Sequence, residues 1–566
     1  MPATVHAAFQ RTAHRWPQAD FLQVLPEVAD RYGIVPRTLP YGEAAAVVER
    51  LAARYAAAGY GHGHRAGLLL ENRPSFFLNW LALNALGVSV VPINGDLRAA
   101  ELDYLVEHSG LCLAVVLPAR VAELQAAAQR VSRPVVVVAS HDDELDAMEG
   151  ALRGAPGAVR GDAVPRGLRT LGRAASPGPF SGLPGVDTEC ALLYTSGTTG
   201  QPKGCVLPNE YYLQAGQWYN DAGGLCAIRP AAERLVTPLP MTHMNAMAYS
   251  TMAMVLSAGC VVPLDRFHPA TWWDSVRAAR ATIVHYLGVM PAMLLGAPPS
   301  PSDRAHEVRF GFGAGVDRRH QQPFEERFGF PLLEAWAMTE TGAGAVVIAN
   351  REPRHVGQSC FGRPQPAVEV RIVDDTGADV APDVPGELLV RAAGAEPRRG
   401  FFREYLSDPE ATAQAWASGW FHTGDVVRRD AQGNLYFVDR KKNVIRRSGE
   451  NIAAVEVESV LRRHPLVRDV AVAATPDTVR GDEVLACIVP TVALSGSQRA
   501  EAAHSIVQLC LEQLAYYKAP GWVAFVDSLP LTVTQKVQRG ELKALAQRLP
   551  GSACCVDTRA LKKRQA

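Results

Sequence analysis

The feature that most restricts the fold of this chain is the alternation of helical and strand-like patterns in its first 150 residues. Residues 44–55 carry apolar side chains at the three- and four-residue spacing of an amphipathic helix, and residues 76–86 are also predicted to be helical. Short apolar runs at 65–70, 88–92 and 134–138 are typical of buried strands. Helices that alternate with such strands indicate βαβ units and a mostly parallel sheet, so we predict an α/β fold.

A change of pattern further along the chain predicts a second unit. Residues 150–186 are rich in Gly, Pro, Ala and Arg, which indicates a long surface excursion. Alternation resumes at residue 190 and continues to about residue 436. We place a boundary near Arg440, between a domain of residues 1–440 and a smaller domain of residues 441–566. The elements predicted in the second domain are helices at 454–464 and 498–514 and strands at 467–473 and 484–489.

The balance of charge argues against two classes of partner. The chain has 57 Lys and Arg residues and 57 Asp and Glu residues, so its formal net charge is zero. Proteins that coat nucleic acid or an anionic membrane normally have a strong basic excess. We therefore expect a small-molecule partner and no nucleic acid.

The cysteines and the apolar segments predict a protein of the cytoplasm. The ten cysteines are scattered without a C-x-x-C pair, which favours free thiols in a reducing compartment. The first residues lack the apolar stretch of a signal peptide. Residues 235–264 contain no Asp, Glu, Lys or Arg, but Pro238, Pro240 and Gly259 interrupt them. We predict that this segment is buried core and that the chain has no integral membrane segment.

A loop rich in glycine and hydroxyl residues is the strongest functional signal. It follows the apolar run 190–194 and consists of Thr195, Ser196, Gly197, Thr198, Thr199, Gly200, Gln201, Pro202 and Lys203. Successive backbone N–H groups in such a loop can bind an anion, and the hydroxyls and the lysine add donors and charge. The Walker A pattern is not matched, because Pro202 precedes the lysine and Gly204 follows it. A flexible surface turn is the alternative, but the buried strand before the loop favours phosphate binding.

At these residues the chain resembles the adenylate-forming superfamily, which includes acyl-CoA synthetases, peptide-synthetase adenylation domains and firefly-type luciferases. Residues 195–204 resemble its signature loop, and four later segments resemble its further motifs in the same order: 335–341, 419–425, 439–451 and 530–536. The resemblance covers roughly residues 194–539. It implies a large N-terminal domain of several α/β subdomains and a small, mobile α+β C-terminal domain.

The resemblance also implies roles for residues at the nucleotide. Glu340 matches the Mg²⁺ ligand, Thr339 a donor to the α-phosphate, and Trp336 the aromatic residue that stacks on adenine. Glu334 and Ala335, the two residues before Trp336, are also assigned to the nucleotide site. Gly313, Ala314 and Gly315 resemble the turn that passes against the adenine and acyl groups.

Four further residues match positions in the later motifs. Asp425 matches the carboxylate that binds the ribose hydroxyls, and Arg440 a further ribose or phosphate contact. Lys442 matches the hinge, and Lys536 the lysine that reaches the substrate carboxylate and α-phosphate. The superfamily usually has Gly before this lysine, whereas this chain has Gln535. That departure affects the backbone of the loop but not the charge of the lysine.

The segments around the acyl group favour coenzyme A as the acceptor. His243 resembles a residue that lies near the acyl pocket and gates the approach of the thiol, and Ser448 and Gly449 resemble the border of the pantetheine channel. Amino-acid-activating relatives place an Asp near this point, and residues 241–249 contain none. Partial resemblance to the carnitine and crotonobetaine-CoA ligase branch is confined to the region around Arg446 and Glu450.

Residues of the acyl pocket give an expectation about the acid. Ala337 stands where acetate-specific relatives have a bulky aromatic residue, which implies an acid larger than acetate. Asn245 and Tyr249 fall on pocket positions of aromatic-acid relatives, and their polarity indicates either a polar group on the substrate or a satisfied buried amide.

Taken together, the motifs predict an ATP-dependent acyl-CoA synthetase, an AMP-forming acid–thiol ligase. It would use ATP, Mg²⁺ and coenzyme A and act as a monomer or homodimer. The alternatives are an adenylation enzyme that loads a carrier protein, a luciferase-like oxidase and a non-enzymatic nucleotide-binding relative. The last is disfavoured because Glu340, Asp425, Arg440 and Lys536 are all present.

Overall fold

The fold is described from a computed structural model, which covers residues 2–140, 142, 171–195, 201–440, 444–530 and 537–563. Most of the predicted excursion at 150–186, residues Ser196 to Gly200 of the signature loop, Lys442 and Lys536 lie outside the described residues. The described part is a mixed α/β protein with a large N-terminal domain and a small C-terminal domain.

The first sheet contains most of the strands that the opening alternation predicts. Its strand order is β18-β8-β7-β4-β3-β5-β6, and the pairs within β7-β4-β3-β5-β6 are parallel. Strands β7 and β8 form an antiparallel pair that brackets the signature loop, with Thr195 opposite Lys203. The strands are β3 (Arg65–Leu69), β4 (Ser89–Pro92), β5 (Leu113–Val116), β6 (Val136–Ala139), β7 (Glu189–Thr195), β8 (Lys203–Pro208) and β18 (Glu404–Tyr405).

A second sheet of eight strands has a parallel centre. Its order is β14-β13-β12-β11-β9-β10-β1-β2, and only the edge pairs β14–β13 and β1–β2 are antiparallel. The strands are β1 (Asp20–Val24), β2 (Arg37–Pro40), β9 (Arg234–Thr237), β10 (Cys260–Pro263), β11 (Ile283–Leu287), β12 (Phe310–Ala314), β13 (Leu332–Trp336) and β14 (Val347–Ile348). Because β11, β12 and β13 are parallel, their carboxyl ends meet at one edge of the sheet.

The third sheet differs from the prediction, because all of its pairs are antiparallel. Its order is β15-β20-β19-β17-β16. The prediction that alternation continues to about residue 436 is therefore wrong for this sheet, because antiparallel neighbours do not need a βαβ crossover. The longest connection, from β17 to β19, contains strand β18 and the helix Pro409–Ala415. The strands are β15 (Cys360–Gly362), β16 (Val368–Val373), β17 (Gly386–Ala392), β19 (Phe421–Arg429) and β20 (Leu435–Arg440).

The C-terminal residues form a fourth sheet with its own hydrophobic core. Strand order β22-β21-β24-β25-β26, with β23 paired to β24, includes no strand that precedes β21. Sheet membership changes between β20 and β21, and the boundary at Arg440 itself stays a prediction. The strands are β21 (Val444–Arg447), β22 (Glu450–Ala453), β23 (Val467–Asp477), β24 (Gly481–Pro490), β25 (Trp522–Phe525) and β26 (Cys555–Asp557).

The helices cover the faces of these sheets, and their apolar sides form the cores. They are α1 (Val5–Arg15), α2 (Pro26–Tyr32), α3 (Tyr41–Ala57), α4 (Pro74–Ala85), α5 (Ala99–Ser109), α6 (Val121–Arg130), α7 (Asn209–Asp221), α8 (Thr251–Ser257), α9 (Trp272–Ala278), α10 (Val289–Leu295), α11 (Arg318–Phe328), α12 (Pro409–Ala415), α13 (Ala454–Leu461), α14 (Gly496–Gln513) and α15 (Arg539–Arg548). A π-helix, Asn245–Ser250, runs directly into α8. Short 3₁₀ turns are Pro118–Arg120, Gly224–Cys226, Gly342–Gly344, Ala417–Gly419 and Arg559–Leu561.

The uncharged segment 235–264 is core, as predicted. It supplies β9, the π-helix, α8 and β10, and most of its apolar side chains are fully buried. Within the described ranges, no helix combines the length and the apolar run that crossing a membrane requires.

A buried ion triad connects the large domain to the C-terminal domain. The Lys518 Nζ lies 2.6 Å from Glu101 Oε1 of α5 and 2.7 Å from Glu456 Oε1 of α13. Burial lowers the pKa of Lys518, but the two carboxylates outweigh burial and the net shift is upward. Burial raises the pKa of Glu456, which Lys518 only partly offsets. The lysine therefore stabilises two carboxylates that would otherwise be buried without a cation.

We expect the Lys518→Met substitution to weaken the contact between the two domains before either of them unfolds. Removing one partner of a buried ion pair costs about 3–5 kcal/mol, because the remaining charge is left uncompensated. Small-angle scattering of the variant should show a larger radius of gyration than that of the wild type. The exposed Lys563→Met is the matched control and should leave the scattering profile unchanged. An unaltered profile for Lys518→Met would show that the triad does not hold the domains together.

Candidate active site

The candidate site is a cavity of about 670 Å³ at the carboxyl ends of β12 and β13. Ligands of open α/β sheets bind outside the carboxyl ends of parallel strands. The large domain contributes the residues that follow these strands, and the C-terminal domain contributes the turn between β21 and β22. Among the predicted residues, those that line the cavity are Thr195, Lys203, His243, Asn245, Tyr249, Gly313, Ala314, Gly315, Glu334, Ala335, Trp336, Ala337, Thr339, Glu340, Asp425, Ser448 and Gly449.

The two ends of the signature loop are held at one edge of this cavity. Lys203 begins β8, and its Nζ lies 3.7 Å from Asp408 Oδ2 and 5.0 Å from the centre of the Tyr405 ring. The five residues Ser196 to Gly200 lie outside the described residues, so their predicted contact with phosphate stays a prediction.

Glu340 is a buried carboxylate that accepts hydroxyl donors from two sides. Its Oε1 lies 2.9 Å from the Tyr405 hydroxyl and 3.4 Å from Thr195 Oγ1. The neighbouring Thr339 is positioned through its backbone, because its carbonyl accepts a hydrogen bond of 2.9 Å from Tyr211. Nothing in the sequence motifs marked Tyr405 or Tyr211, since both lie outside the motif segments.

The donor set at Glu340 fits Mg²⁺. This ion is usually held by one or two carboxylates together with substrate phosphates and water, and not by a cage of protein ligands. In the part of the chain that the structure describes, no cluster of three His, Cys, Asp or Glu side chains could hold a metal by itself. A single buried carboxylate, close to Thr195 at the start of the loop that is predicted to bind phosphate, is consistent with that mode.

Trp336 and Asp425 are joined by a hydrogen bond at the far side of the cavity. The Trp336 Nε1 donates to Asp425 Oδ2 over 2.9 Å, and both residues are buried. Strand register places Asp425 opposite Arg440, whose side chain is outside the description. The indole and the carboxylate therefore fix each other, although they come from different sheets.

The turn Gly313–Ala314–Gly315 passes close to the strands beside it. A Cβ on Gly313 would overlap the Tyr286 carbonyl, and Gly315 adopts a φ of +80°. The N–H of Gly315 donates to Glu334 Oε2 over 2.8 Å, and the Tyr286 hydroxyl donates to Glu334 Oε1 over 2.8 Å. Burial raises the pKa of Glu334 to about 7, and these donors only partly offset it.

The β21–β22 turn brings the C-terminal domain to the cavity. Ser448 and Gly449 both have positive φ, and Gly449 packs directly against Leu287 at the end of β11. Glu450 follows, and its Oε1 lies 3.5 Å from His243 Nε2. Burial lowers the pKa of His243, but the Glu450 carboxylate outweighs burial and raises that pKa above its usual value.

The remaining side of the cavity is mostly apolar. We call it the Asn245 wall, and it consists of Met244, Asn245, Tyr249, Leu287, Phe312 and Ala337. The Tyr249 hydroxyl donates to the Gly342 carbonyl over 3.0 Å, so its polar group is already satisfied. Asn245 is bound to the buried His285, with 2.6 Å between Asn245 Oδ1 and His285 Nδ1.

We predict that Glu334 makes stability fall as the pH rises from about 4.5 to about 7. The unfolded chain loses this proton near pH 4.5 and the folded chain near pH 7, so the folded state binds more protons in that window. The shift corresponds to a loss of about 3 kcal/mol. The Tm of Glu334→Gln, compared with that of the wild type, should therefore rise across the window. Parallel Tm profiles of the two proteins would contradict the raised pKa.

Comparison with protein families matches both domains. The AMP-binding enzyme family model matches residues 9–405, and the model of the AMP-binding enzyme C-terminal domain matches residues 456–536. A crotonobetaine/carnitine–CoA ligase of Shigella flexneri is 28% identical over 520 residues, which are 91% of this chain and 95% of that protein.

Solved structures are similar to the whole chain. A double mutant of o-succinylbenzoate CoA synthetase from Bacillus subtilis, bound to a product analogue, has a TM-score of 0.75 and 24% identity and covers 95% of this chain and 98% of its own. The same enzyme with its acyl-adenylate intermediate has a TM-score of 0.60, 24% identity and coverage of 95% and 97%. A malonyl-CoA ligase with methylmalonyl-CoA and AMP bound has a TM-score of 0.69, 26% identity and coverage of 91% and 97%.

The family model spans more than half of the chain, and the fold agrees with these structures along nearly its entire length. The chain therefore belongs to the AMP-binding enzyme family.

Proposed function

We propose that the protein is an ATP-dependent acyl-CoA synthetase. It activates a carboxylic acid larger than acetate as an acyl-adenylate with release of pyrophosphate. Coenzyme A then takes the acyl group, and AMP leaves. Family membership and the CoA ligases that match about nine-tenths of the chain support this assignment.

The observation that carries the proposal is the continuity of the cavity. One space extends from Trp336, Glu340 and Asp425 past the Asn245 wall to the β21–β22 turn. An acyl-adenylate has a nucleotide part and an acyl part, and its reaction with a thiol needs access to the carbonyl that joins them. A cavity with a polar end, an apolar wall and a third side from the C-terminal domain fits these three requirements.

In the first half-reaction the carboxylate of the acid attacks the α-phosphorus and pyrophosphate leaves. Charge on the phosphates must be neutralised, and the protein does little covalent chemistry. We assign the β- and γ-phosphates to the signature loop and Lys203, Mg²⁺ to Glu340, and a donor to the α-phosphate to Thr339. Trp336 and Glu334 border adenine, and Asp425 and Arg440 bind ribose. Mg²⁺ supplies charge neutralisation when it is bound.

Lys536 is assigned to the developing charge in that step. A fixed ammonium near the attacking carboxylate and the α-phosphate stabilises the transition state more than the ground state. Lys536 lies outside the described residues, and the assignment follows from the motif at 530–536.

In the second half-reaction the thiol of coenzyme A attacks the acyl carbonyl and displaces AMP. The β21–β22 turn, with Ser448 and Gly449, is assigned to the border of the pantetheine channel, and His243 to its inner end. The TM-score is 0.75 to the product-analogue complex of the double mutant and 0.60 to the acyl-adenylate complex of the same type of enzyme, and this difference supports a thioester-forming arrangement. For adenylation, movement of the C-terminal domain about Lys442 would take this turn away from the cavity and bring the Lys536 segment to it.

A carrier-loading adenylation enzyme is the alternative that the sequence left open, and nothing in the comparisons favours it. The test is AMP formation from a panel of carboxylic acids, with and without coenzyme A. We expect sustained AMP and thioester formation only with coenzyme A. If coenzyme A leaves the turnover of every active acid unchanged, the proposed acceptor is wrong.

We expect Lys536→Ala to slow adenylate formation by about a hundredfold to a thousandfold, which is the usual effect of removing one transition-state donor. Thioester formation from a supplied acyl-adenylate should be spared, because Lys536 is not assigned to that step. Single-turnover measurements of the two half-reactions check this prediction. Lys563→Ala, an exposed lysine near the end of the chain, is the control. Equal losses in both half-reactions would contradict the assignment.

A further inference from the structure

The buried histidine behind the Asn245 wall fixes the orientation of the only carboxamide on that wall, as far as the described residues extend. His285 is fully buried on β11, and burial lowers its pKa to about 3, so the ring stays neutral. Its Nδ1 lies 2.6 Å from Asn245 Oδ1 and 2.9 Å from Ser250 Oγ. Its Nε2 lies 3.1 Å from the Tyr219 hydroxyl.

The hydrogen-bond network selects one tautomer. The Ser250 hydroxyl donates its proton to the backbone carbonyl of Asn245 over 3.1 Å. The hydroxyl oxygen of Ser250 can therefore only accept a hydrogen bond from the imidazole. Nδ1 of His285 is therefore the protonated nitrogen, and Nε2 accepts from Tyr219. The side-chain atom of Asn245 that lies 2.6 Å from Nδ1 must also be an acceptor, because Nδ1 carries the proton. This atom is therefore the amide oxygen and not the amide nitrogen. The Phe312 ring stacks against the imidazole ring of His285, with 4.8 Å between the ring centres, and keeps the imidazole in this position.

With its oxygen bound to His285, the Asn245 amide presents its NH₂ group on the cavity side. Among the described residues, none accepts a hydrogen bond from Asn245 Nδ2. The π-helix Asn245–Ser250 places this side chain at the wall, and π-helical turns often occur at functional sites. A donor without a protein partner in a mostly apolar pocket is a device for recognising an acceptor on the ligand.

No charged side chain belongs to the Asn245 wall as the structure describes it. Strand register puts His285, Phe312 and Leu333 on one face of the sheet, and Tyr286, Gly313 and Glu334 on the other. Glu334 therefore faces away from the wall. The other charged residues of the cavity are at its nucleotide end (Lys203, Glu340 and Asp425) or in the C-terminal domain (Arg446, Glu450, Asp482 and Lys543). His243, which precedes the wall residue Met244, is already paired with Glu450.

From this arrangement we infer that the acid is a monocarboxylate with an uncharged hydrogen-bond acceptor, such as a keto, ester or ether oxygen, that binds Asn245 Nδ2. The inference rests on the proposed function and deepens it. A second carboxylate or a quaternary ammonium would be buried against the wall without a counter-charge, which is strongly unfavourable. An unsubstituted alkyl chain would leave the amide donor desolvated and unpaired.

Matched acids test the inference with the complete enzyme, ATP, Mg²⁺ and coenzyme A. One series compares 4-oxo-, 5-oxo- and 6-oxoheptanoate with heptanoate, heptanedioate and 4-(trimethylammonio)butanoate. A second compares 4-acetylbenzoate with 4-ethylbenzoate. In at least one series we expect the best keto acid to exceed every other acid of that series in kcat/KM by about tenfold or more, the usual effect of an unpaired buried donor.

Two variants of Asn245 separate recognition from stability. Asn245→Asp keeps the shape and the acceptor for His285 but replaces the NH₂ donor with an oxygen, and Asn245→Leu removes both. Each should reduce the ratio of kcat/KM between the keto acid and its alkyl counterpart to within about threefold. Asn350→Leu is the control, because this buried amide donates to Ala222 and Gly223 away from the cavity and should leave the ratio unchanged.

A third variant addresses the positioning role of His285. His285→Phe removes the Nδ1–H donor that fixes Asn245 and the Nε2 acceptor of the Tyr219 hydroxyl. The preference for the keto acid should therefore fall, mainly through a higher KM for that acid. A preference that stays at the wild-type value in this variant would assign the orientation of Asn245 to something other than the histidine.

The outcomes distinguish the inference from the function on which it rests. If alkyl or charged acids are preferred in both series, or if the Asn245 variants keep the wild-type ratio, the inference is wrong although acyl-CoA synthesis stands. If no carboxylic acid of any kind yields AMP and a thioester, the proposed function itself fails.

Discussion

The parallel pairing of β11, β12 and β13 is the constraint on which the candidate site depends. Because the strands run in one direction, three turns meet at one edge: Gly288 after β11, Gly315 after β12 and the segment from Ala337 to Glu340 after β13. The turns lie so close together that Cβ atoms at Gly288 and Gly313 would overlap neighbouring backbone. Small residues there let one cavity contact the buried carboxylate of Glu340 on one side and an apolar wall on the other.

The second constraint is that the site is completed by a separate domain. Arg447 is the last residue before the β21–β22 turn and anchors the turn to the C-terminal core, because its Nε lies 2.8 Å from Glu483 Oε2. The side chain of Lys562 is fully buried and donates to the same carboxylate. Together with the Lys518 triad, these contacts make the position of the turn a property of the whole C-terminal domain. A domain of this kind can present the turn as one rigid surface, which is what alternation between two half-reactions requires.

Much of this organisation could be predicted from the sequence, because local patterns determine it. The helix at 44–55 and the strand at 65–70 are found within a few residues of the predicted positions, and the uncharged segment 235–264 is buried core. The motif residues of the large domain that the structure describes, such as Glu340 and Asp425, line a common cavity, although their catalytic roles stay predictions. The motifs at 195–204 and 335–341 carry this information because each begins at the end of a buried strand, β7 or β13.

Long-range contacts could not be predicted in the same way. The pairing of the antiparallel sheet β15-β20-β19-β17-β16 was not predicted, although the alternating apolar and charged residues of β16 differ from the fully buried runs of β4 and β5. Tyr405 donates to Glu340 across 65 positions of sequence, and His285 meets Asn245 across 40. Neither Tyr405 nor His285 belongs to a motif, so no local pattern indicates that they contact Glu340 and Asn245.

In the proposed mechanism, one carboxylate oxygen of the acid bonds to the α-phosphorus of ATP before coenzyme A takes the acyl group. A substrate acid labelled with ¹⁸O in both carboxylate oxygens tests this directly, with mass spectrometry of the products. We expect one labelled oxygen in AMP and one in the acyl-CoA for each turnover. Label in inorganic phosphate or pyrophosphate, or AMP without label, would contradict it.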